Sequence, residues 1–516
     1  MRPRHHRAIC QPHTLRKYSS MKLNYESTAL LAKNLSEVRT YGHFINGEWV
    51  DGHSGKLIEL RNPATRDVLA HIQAGDAVDV DRAVDAAAAA FPAWSRTSPG
   101  YRQQVLREIA DTLRRRRLEY AMMETLNNGK PINEAVHMDL VGAIGNFDYF
   151  AGTPFHLDGT VNDFENATVL VHREAIGPVA QIIPWNVALH MASMKLAPAL
   201  AAGCTIVLKP AETVCLSVME FINDIRELLP RGVLNVITGY GADVGEALVT
   251  HRKIRKVAFT GSRDTAQKVM GYAAANMIPQ TFELGGKSAN IICEDADIRK
   301  AADSVVRTTT MNKGEVCFAG TRVFLHETVA DEFFDHLTGF LKLVRQGDPV
   351  DPNTTLGAQA SEAQYRKVLS YIDLGRQEGA TVFAGGGPAT VAGLEDGFFI
   401  QPTIFTDVSN DMRIAQEEIF GPVTDILLWR DEEEMLRQVN DSPYGLAGGL
   451  WTTNLARAHR ITRAMETGTV WVNRYYNLTP GQPIGGYKQS GFGRESTMDT
   501  VLHHYTTTKA VAIDLS

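Results

Sequence analysis

Short apolar runs alternate with amphipathic stretches through most of this chain, and that alternation predicts its elements. From Phe44 the pattern is strand-like: "FINGEWV", a turn at Asp51-Gly52, then "LIELRNPATRDVLAHIQ", extended around Asn62-Pro63. Two stretches follow with apolar residues at helical spacing, "DVDRAVDAAAAAF" and "YRQQVLREIADTLRRRRLEYAMMETL", with Arg114 to Arg117 expected on solvated helix faces. A polar, turn-rich patch, "GTPFHLDGTVNDFENA", leads into "TVLVHREAIGPVAQIIPWN", which reads as two extended segments broken at Gly177-Pro178.

A unit then repeats. "TIVLKPAE" precedes the amphipathic "TVCLSVMEFINDIREL", "GVLNVITGYG" precedes "ADVGEALVTH", and "KVAFTGS" precedes "RDTAQKVMGYAAA". Strand, small-residue turn and helix in succession predict βαβ units and a parallel sheet. After "TFELGGKSANIICEDADI" the alternation resumes from "RKAADSVVRTTT" through "TRVFLHETV" and "ADEFFDHLTGFLKLV", which predicts a second α/β domain closing near "TGTVWVNRYYNL". "LHHYTTTKAVAIDL" reads as a terminal strand.

Composition works mainly by exclusion. A chain of 516 residues, 44% hydrophobic and 22% charged, has room for two or three cored domains. A net charge of -7 gives no electrostatic reason to expect nucleic acid or an anionic membrane as partner, and no apolar run is long enough to span a bilayer. Five scattered cysteines make no disulfide framework and no zinc-type cluster, so no metal is expected and a reducing, cytoplasmic setting is. The basic N-terminus, without an acid before Glu26, reads as a targeting peptide, a start assigned upstream of Met21, or a disordered tail.

Candidate chemistry collects at the strand ends. Ligands of an open parallel sheet bind where helix N-termini present free N–H groups. "FTGS", Phe259, Thr260, Gly261 and Ser262, has the small residues that let a diphosphate approach, and "GYGADVG", with Gly241 and Gly245, departs from the GxGxxG spacing; either is also readable as a plain strand-helix connection. In "LKPAE", Lys209 and Glu212 are placed to hydrogen-bond ribose hydroxyls, the carboxylate disfavouring a 2′-phosphate, or they form an ordinary surface pair. Cys204, Cys215 and Cys293 lie in apolar elements and read as core. Cys317 differs: it sits in a Gly-containing turn ahead of "TRVFLH", where backbone N–H groups suit an oxyanion. "PWN" offers the amide of Asn186, and "FELGGKS" the carboxylate of Glu283.

"PWN", "LKPAE", "FTGS", "ELGGKS", "NKGEVC", "EEIFGPV", "NDSPYGLAGG" and "GGYKQSGFGRE" occur in the order and approximate spacing of the aldehyde dehydrogenase superfamily, which the chain resembles from about Phe44 to its end. The resemblance implies a Rossmann-like NAD-binding domain (residues 38–155 and 176–285), an α/β catalytic domain (286–490), and a β oligomerisation arm (156–175 with 500–516), after a disordered tail of residues 1–37. It implies Cys317 as nucleophile, Asn186 as oxyanion donor and Glu283 as general base. It also sets Trp185, Leu284, Glu418 and Phe420, with Lys209, Glu212, the FTGS turn and the GYGADVG glycines, on NAD, NADP being the other candidate. A homodimer or homotetramer acting on a small aldehyde follows from the same likeness.

Departures from the family pattern shape the expected substrate. GQxC is here Gly314-Glu315-Val316-Cys317, and an acid so near raises the thiol pKa unless it points away. In the implied tunnel Val187 replaces a common aromatic, Met194 a frequent Trp, and Ile484 the Phe of PFGG. With Met191, Met311, Val316, Phe318, Tyr476 and Leu478 these residues make an aliphatic, pliable channel suited to medium-chain, terpenoid or aromatic aldehydes. The tail resembles betaine aldehyde dehydrogenases, yet the aromatic box for a trimethylammonium is depleted at Val187 and Met194, and no arginine pair is evident for a semialdehyde carboxylate, Arg474 being readable as one anchor or, in preference, as half of a structural salt bridge. Glu283 disfavours transfer of the acyl group to coenzyme A. A catalytically silent binding or structural role is the remaining alternative.

Overall fold

The computed structural model describes residues 23–516. Its centre is an eight-stranded sheet in the order Gly491–Phe492, Gln280–Glu283, Lys256–Thr260, Pro178–Ile182, Thr205–Lys209, Leu234–Val236, His43–Ile45, Glu48–Val50. The five middle strands are parallel, and antiparallel strands close both ends. Pro178–Ile182 and Thr205–Lys209 are buried along their whole length, as expected of a parallel sheet with helices on both faces. The chain runs outward from Pro178–Ile182 in one direction, then returns to its other side with Lys256–Thr260. This reversal is a topological switch point, the place where open α/β sheets bind ligands. "PWN", "FTGS" and Glu283 leave the sheet there, side by side.

"ELGGKS" then crosses directly into a second sheet, of seven strands, in the order Thr381–Ala384, Thr403–Thr406, Val423–Trp429, Arg322–His326, Ala289–Ile292, Ala447–Trp451, Thr469–Val472. All its pairings are parallel except the first. Two α/β bodies joined by a short link put the carboxyl ends of one sheet against the loops of the other. A third sheet pairs Thr506–Asp514 with Ala167–Ala175, and the latter with Thr160–Phe164, all antiparallel. Its exposed apolar residues include Val161, Phe164, Val511 and Ile513.

Three expectations need correction. Tyr25–Asn34, in the segment expected as a disordered tail, is a helix: the Asn24 side chain caps it, and Leu31, Ala32 and Leu35 pack on the core. Residues 1–22, on which the targeting and alternative-start readings fall, lie outside the described residues. Second, the run Arg114 to Arg117 is not solvated throughout. The helices Pro99–Arg115 and Arg117–Asn128 break at Arg116, which turns Arg117 inward to donate to the Val136 carbonyl at 2.6 Å. Third, the C-terminal strand starts only at Thr506, because Thr497 caps a helix over Met498–His504.

Among the described residues, no helix is long and apolar enough to cross a membrane. Cys204, Cys215 and Cys293 are buried and free, as their apolar surroundings predict. Cys293, Glu294 and Asp295 bring three possible ligand atoms together, but the acids are engaged: Arg457 binds both, and Asp295 also accepts from Thr452 and Thr453.

Candidate active site

Cys317 sits on a loop between the helix Ile298–Thr310 and the strand Arg322–His326. The loop reaches its shape through three successive left-handed residues: Asn312 (φ 44°), Lys313 (φ 60°) and Gly314 (φ 74°). Only glycine fits the last position, where an added Cβ would lie 2.0 Å from the Gly421 carbonyl oxygen. For the two non-glycine residues the conformation is costly, and side-chain bonds offset it. Lys313 Nζ donates to the Asn128 carbonyl at 2.9 Å and meets Glu315 Oε2 at 2.8 Å. Asn312 Nδ2 donates to the carbonyls of Asn186 and Glu315, each at 3.0 Å.

Glu315 therefore points away from the sulfur. Its second oxygen accepts from Ala360 N–H at 2.9 Å, so the acid anchors the loop to the neighbouring segment. Burial is the main reason the Cys317 thiol is raised above its ordinary range. Glu418 and Glu283 add to the rise, while the N–H groups of Phe318 and of Cys317 itself oppose it.

Asn186 leaves the switch-point strand on "PWN" and is 7% exposed. Its Nδ2 donates to the Glu315 carbonyl at 3.0 Å, which commits one of two hydrogens and leaves the other for a ligand. Its backbone oxygen is held by Lys130 Nζ at 2.8 Å and by Asn312. Glu283 ends its strand opposite Thr260 and is 6% exposed. Burial raises its pKa well above the usual carboxylate range, the nearby Glu495 raises it further, and Lys195 and Arg494 oppose this. Lys195 and Glu495 themselves form a buried pair at 2.5 Å.

One cavity of about 720 Å³, including its mouth, brings Cys317, Asn186, Glu283, Thr260 and Leu284 together with every residue expected on the tunnel. It also contains Glu134, Met138, Asp139 and His190, which sequence reasoning missed. Lys130 and Asn128, behind the wall, were missed too; "NNGKP" is a polar run inside an otherwise apolar helical region, and that was the available signal.

The remaining expected residues lie outside this cavity. Trp185 and Phe420 meet edge to face, with ring centroids 5.4 Å apart. The close fit of Gly285 to Glu418 shows in the 2.1 Å that would separate an added Cβ from Glu418 Oε2, while Glu418 Oε1 accepts from Gly286 N–H at 3.1 Å. Lys209 Nζ and Glu212 Oε2 pair at 3.0 Å where Thr205–Lys209 ends. Ser262 caps the helix Arg263–Ala274 through Thr265 N–H, and the Phe259 ring lies in the core 5.5 Å from Phe282, which leaves its backbone alone near the turn. Gly241 and Gly245 flank a single wide helical turn after Leu234–Val236, with open space where a Cβ would be.

The sequence and the fold have counterparts. The chain is 43% identical over 485 residues to an aldehyde dehydrogenase of Deinococcus radiodurans, covering 93% of this chain and 94% of that one. Among solved structures it resembles an aldehyde dehydrogenase of Bacillus cereus determined with NAD+ (TM-score 0.90, 40% identity, 96% of this chain and 99% of the other). It also resembles a mutant indole-3-acetaldehyde dehydrogenase of P. syringae in complex with NAD+ and IAA (TM-score 0.92, 39% identity, 96% and 100%). The aldehyde dehydrogenase family model matches residues 49–511, and the chain belongs to the aldehyde dehydrogenase family.

Proposed function

We propose that this protein oxidises an aldehyde to its carboxylic acid with NAD+, through a thioester on Cys317. The observation that carries the reading is the convergence of a cysteine, a free amide N–H and a buried carboxyl with raised proton affinity in one apolar cavity. The residues fit the cofactor. Thr260 Oγ1 is buried without a partner beside the cavity, Gly285 leaves no room for a side chain against Glu418, and the Lys209–Glu212 pair ends a strand next to the switch point. Trp185, Leu284, Phe420, the FTGS turn and Gly241–Gly245 would complete the contacts, and Glu212 favours NAD over NADP.

NAD+, when bound, would supply the hydride acceptor. Cys317 attacks the carbonyl carbon as a thiolate, and the oxygen takes the negative charge. The uncommitted Asn186 N–H and the Cys317 backbone N–H bind that oxyanion. Loss of hydride from the carbon leaves a thioester, Glu283 takes a proton from water as the water attacks, and the acid departs with the thiolate restored. Burial sets the high proton affinity of Glu283, Glu495 adds to it, and Lys195, paired with Glu495, opposes it.

The channel of Val187, Met191, Met194, Met311 and Ile484 supports medium-chain, terpenoid or aromatic substrates. Residues 38–155 with 176–285, and 286–490, are proposed as the cofactor and catalytic domains. The exposed apolar face of the three-stranded sheet supports assembly into dimers or tetramers. The free thiols suit a reducing cytoplasm. The test is absorbance of reduced nicotinamide across short, long, terpenoid and aromatic aldehydes, with Cys317→Ala as control. Reduction that the control abolishes supports the chemistry; equal efficiency at all chain lengths contradicts the substrate reading.

A further inference from the structure

The cavity is lined mainly by carbon, and among the hydrogen-bonding tips in it that the protein leaves unused, two belong to rings on its wall. The first is His190. It lies on the helix Ala188–Ala202 between Val187 and Met194, so helical spacing puts it on the same face as those residues and Met191, all of which line the cavity. The ring is seated against Gly142, where an added Cβ would come within 2.5 Å of it. Neither ring nitrogen has a hydrogen-bond partner among the described residues. The second tip is Tyr476. Its ring stands 6.5 Å from that of Phe318, the residue after Cys317, and its hydroxyl also has no partner among the described residues.

The charges near His190 decide what form it presents. Burial, and then the Lys130 ammonium, lower its pKa to about 4, with Glu124 opposing. At neutral pH it is an uncharged imidazole with one donor and one acceptor. Lys130 is itself held by Asp139, Glu124 and the Asn186 carbonyl, so the Asp139 carboxylate on the cavity wall is committed to that ammonium.

A wholly apolar substrate strips water from such tips and replaces it with nothing; a substrate with a matching polar group restores the bonds. We infer that the tunnel selects aldehydes carrying an uncharged hydrogen-bonding group, a hydroxyl or a ring N–H, with His190 as the specificity residue and Tyr476 as its second contact. The inference rests on the oxidation proposed above for the same site and narrows its substrate.

The test compares hydrocinnamaldehyde with its para-hydroxy analogue by two readouts: kcat/KM for nicotinamide reduction, and calorimetric binding to Cys317→Ala protein. The hydroxyl-bearing aldehyde is expected to be favoured about ten- to a hundredfold in both. His190→Leu should shrink that ratio to about twofold, and His190→Gln, which keeps a donor and an acceptor, should retain part of it. A wild-type ratio near one, a ratio that survives His190→Leu, or no binding of either aldehyde overturns the inference. Should His190→Leu fail to fold, the wild-type ratio and His190→Gln decide. Preference in binding without turnover of any aldehyde would sink the oxidation and leave the selectivity standing; turnover without preference does the reverse.

Discussion

Lys313 and Glu315, four and two residues before the cysteine on which the proposed chemistry turns, form an ion pair at 2.8 Å with both side chains fully buried. Lys313 is held in a left-handed conformation, and the same ammonium reaches Asn128, whose amide donates to the Trp185 carbonyl at 3.1 Å. The pair thus couples the Cys317 loop to the strand end that carries Asn186.

Breaking the pair from one side leaves a buried charge alone. Glu315→Gln should destabilise the protein by about 3–5 kcal/mol and lower kcat. Lys313→Gln with Glu315→Gln should recover much of the stability. Thermal unfolding of the two single variants and the double variant gives the coupling, which should be large and favourable.

Asn186→Ala removes the proposed oxyanion donor and one of two side-chain donors to the Glu315 carbonyl together. The expected loss is about a hundred- to a thousandfold in kcat, with a smaller change in the KM for aldehyde. Steady-state kinetics on the best substrate checks it.

The pH profile follows from two groups raised in the same direction. Glu283 acts as base only when ionised, and its raised pKa means that the ionised fraction grows well above the ordinary carboxylate range. The Cys317 thiol is raised as well, so nucleophile and base are both gained as pH increases. Activity should therefore climb from acid toward alkaline pH. In Glu283→Gln, single-turnover reduction of NAD+ should persist while steady turnover falls, because hydrolysis loses its base.

Gly285→Ala would drive a methyl group into the Glu418 carboxylate. The KM for NAD+ should rise at least tenfold, with thermal stability less affected than by the Glu315 change. A rise in the KM for aldehyde alone would contradict the role given to Glu418.

The arm gives a separate test of assembly. Val511→Asp with Ile513→Asp places charge on exposed apolar positions of the outer strand Thr506–Asp514. Light scattering should show smaller particles than the wild-type protein forms; an unchanged mass would remove this sheet from the interface.

Strand ends made the centre of the site readable. Cys317, Asn186 and Glu283 each follow an element whose pattern is clear, in motifs whose order is distinctive, and the fold brings all three to one cavity. Their supports were not readable, because the bonds span long sequence distances: Lys130 and Asn312 meet at the Asn186 carbonyl from two other segments. The direction of Glu315 was equally hidden, since it depends on Ala360 N–H. His190 carries no sequence signal of its own within an apolar helix, and its place on the cavity wall shows only in the fold. Arg117 was misread because a helical pattern does not reveal a break at Arg116, and Tyr25–Asn34 because a basic leader obscures a capped helix.

The central claim is the covalent intermediate on Cys317, and intact-mass spectrometry tests it most directly. Glu283→Gln protein mixed with aldehyde and NAD+ and quenched in acid should gain the mass of the aldehyde less two hydrogens, located on the peptide that contains Cys317. Stoichiometric formation of reduced nicotinamide with Cys317 unmodified at every quench time would contradict the account.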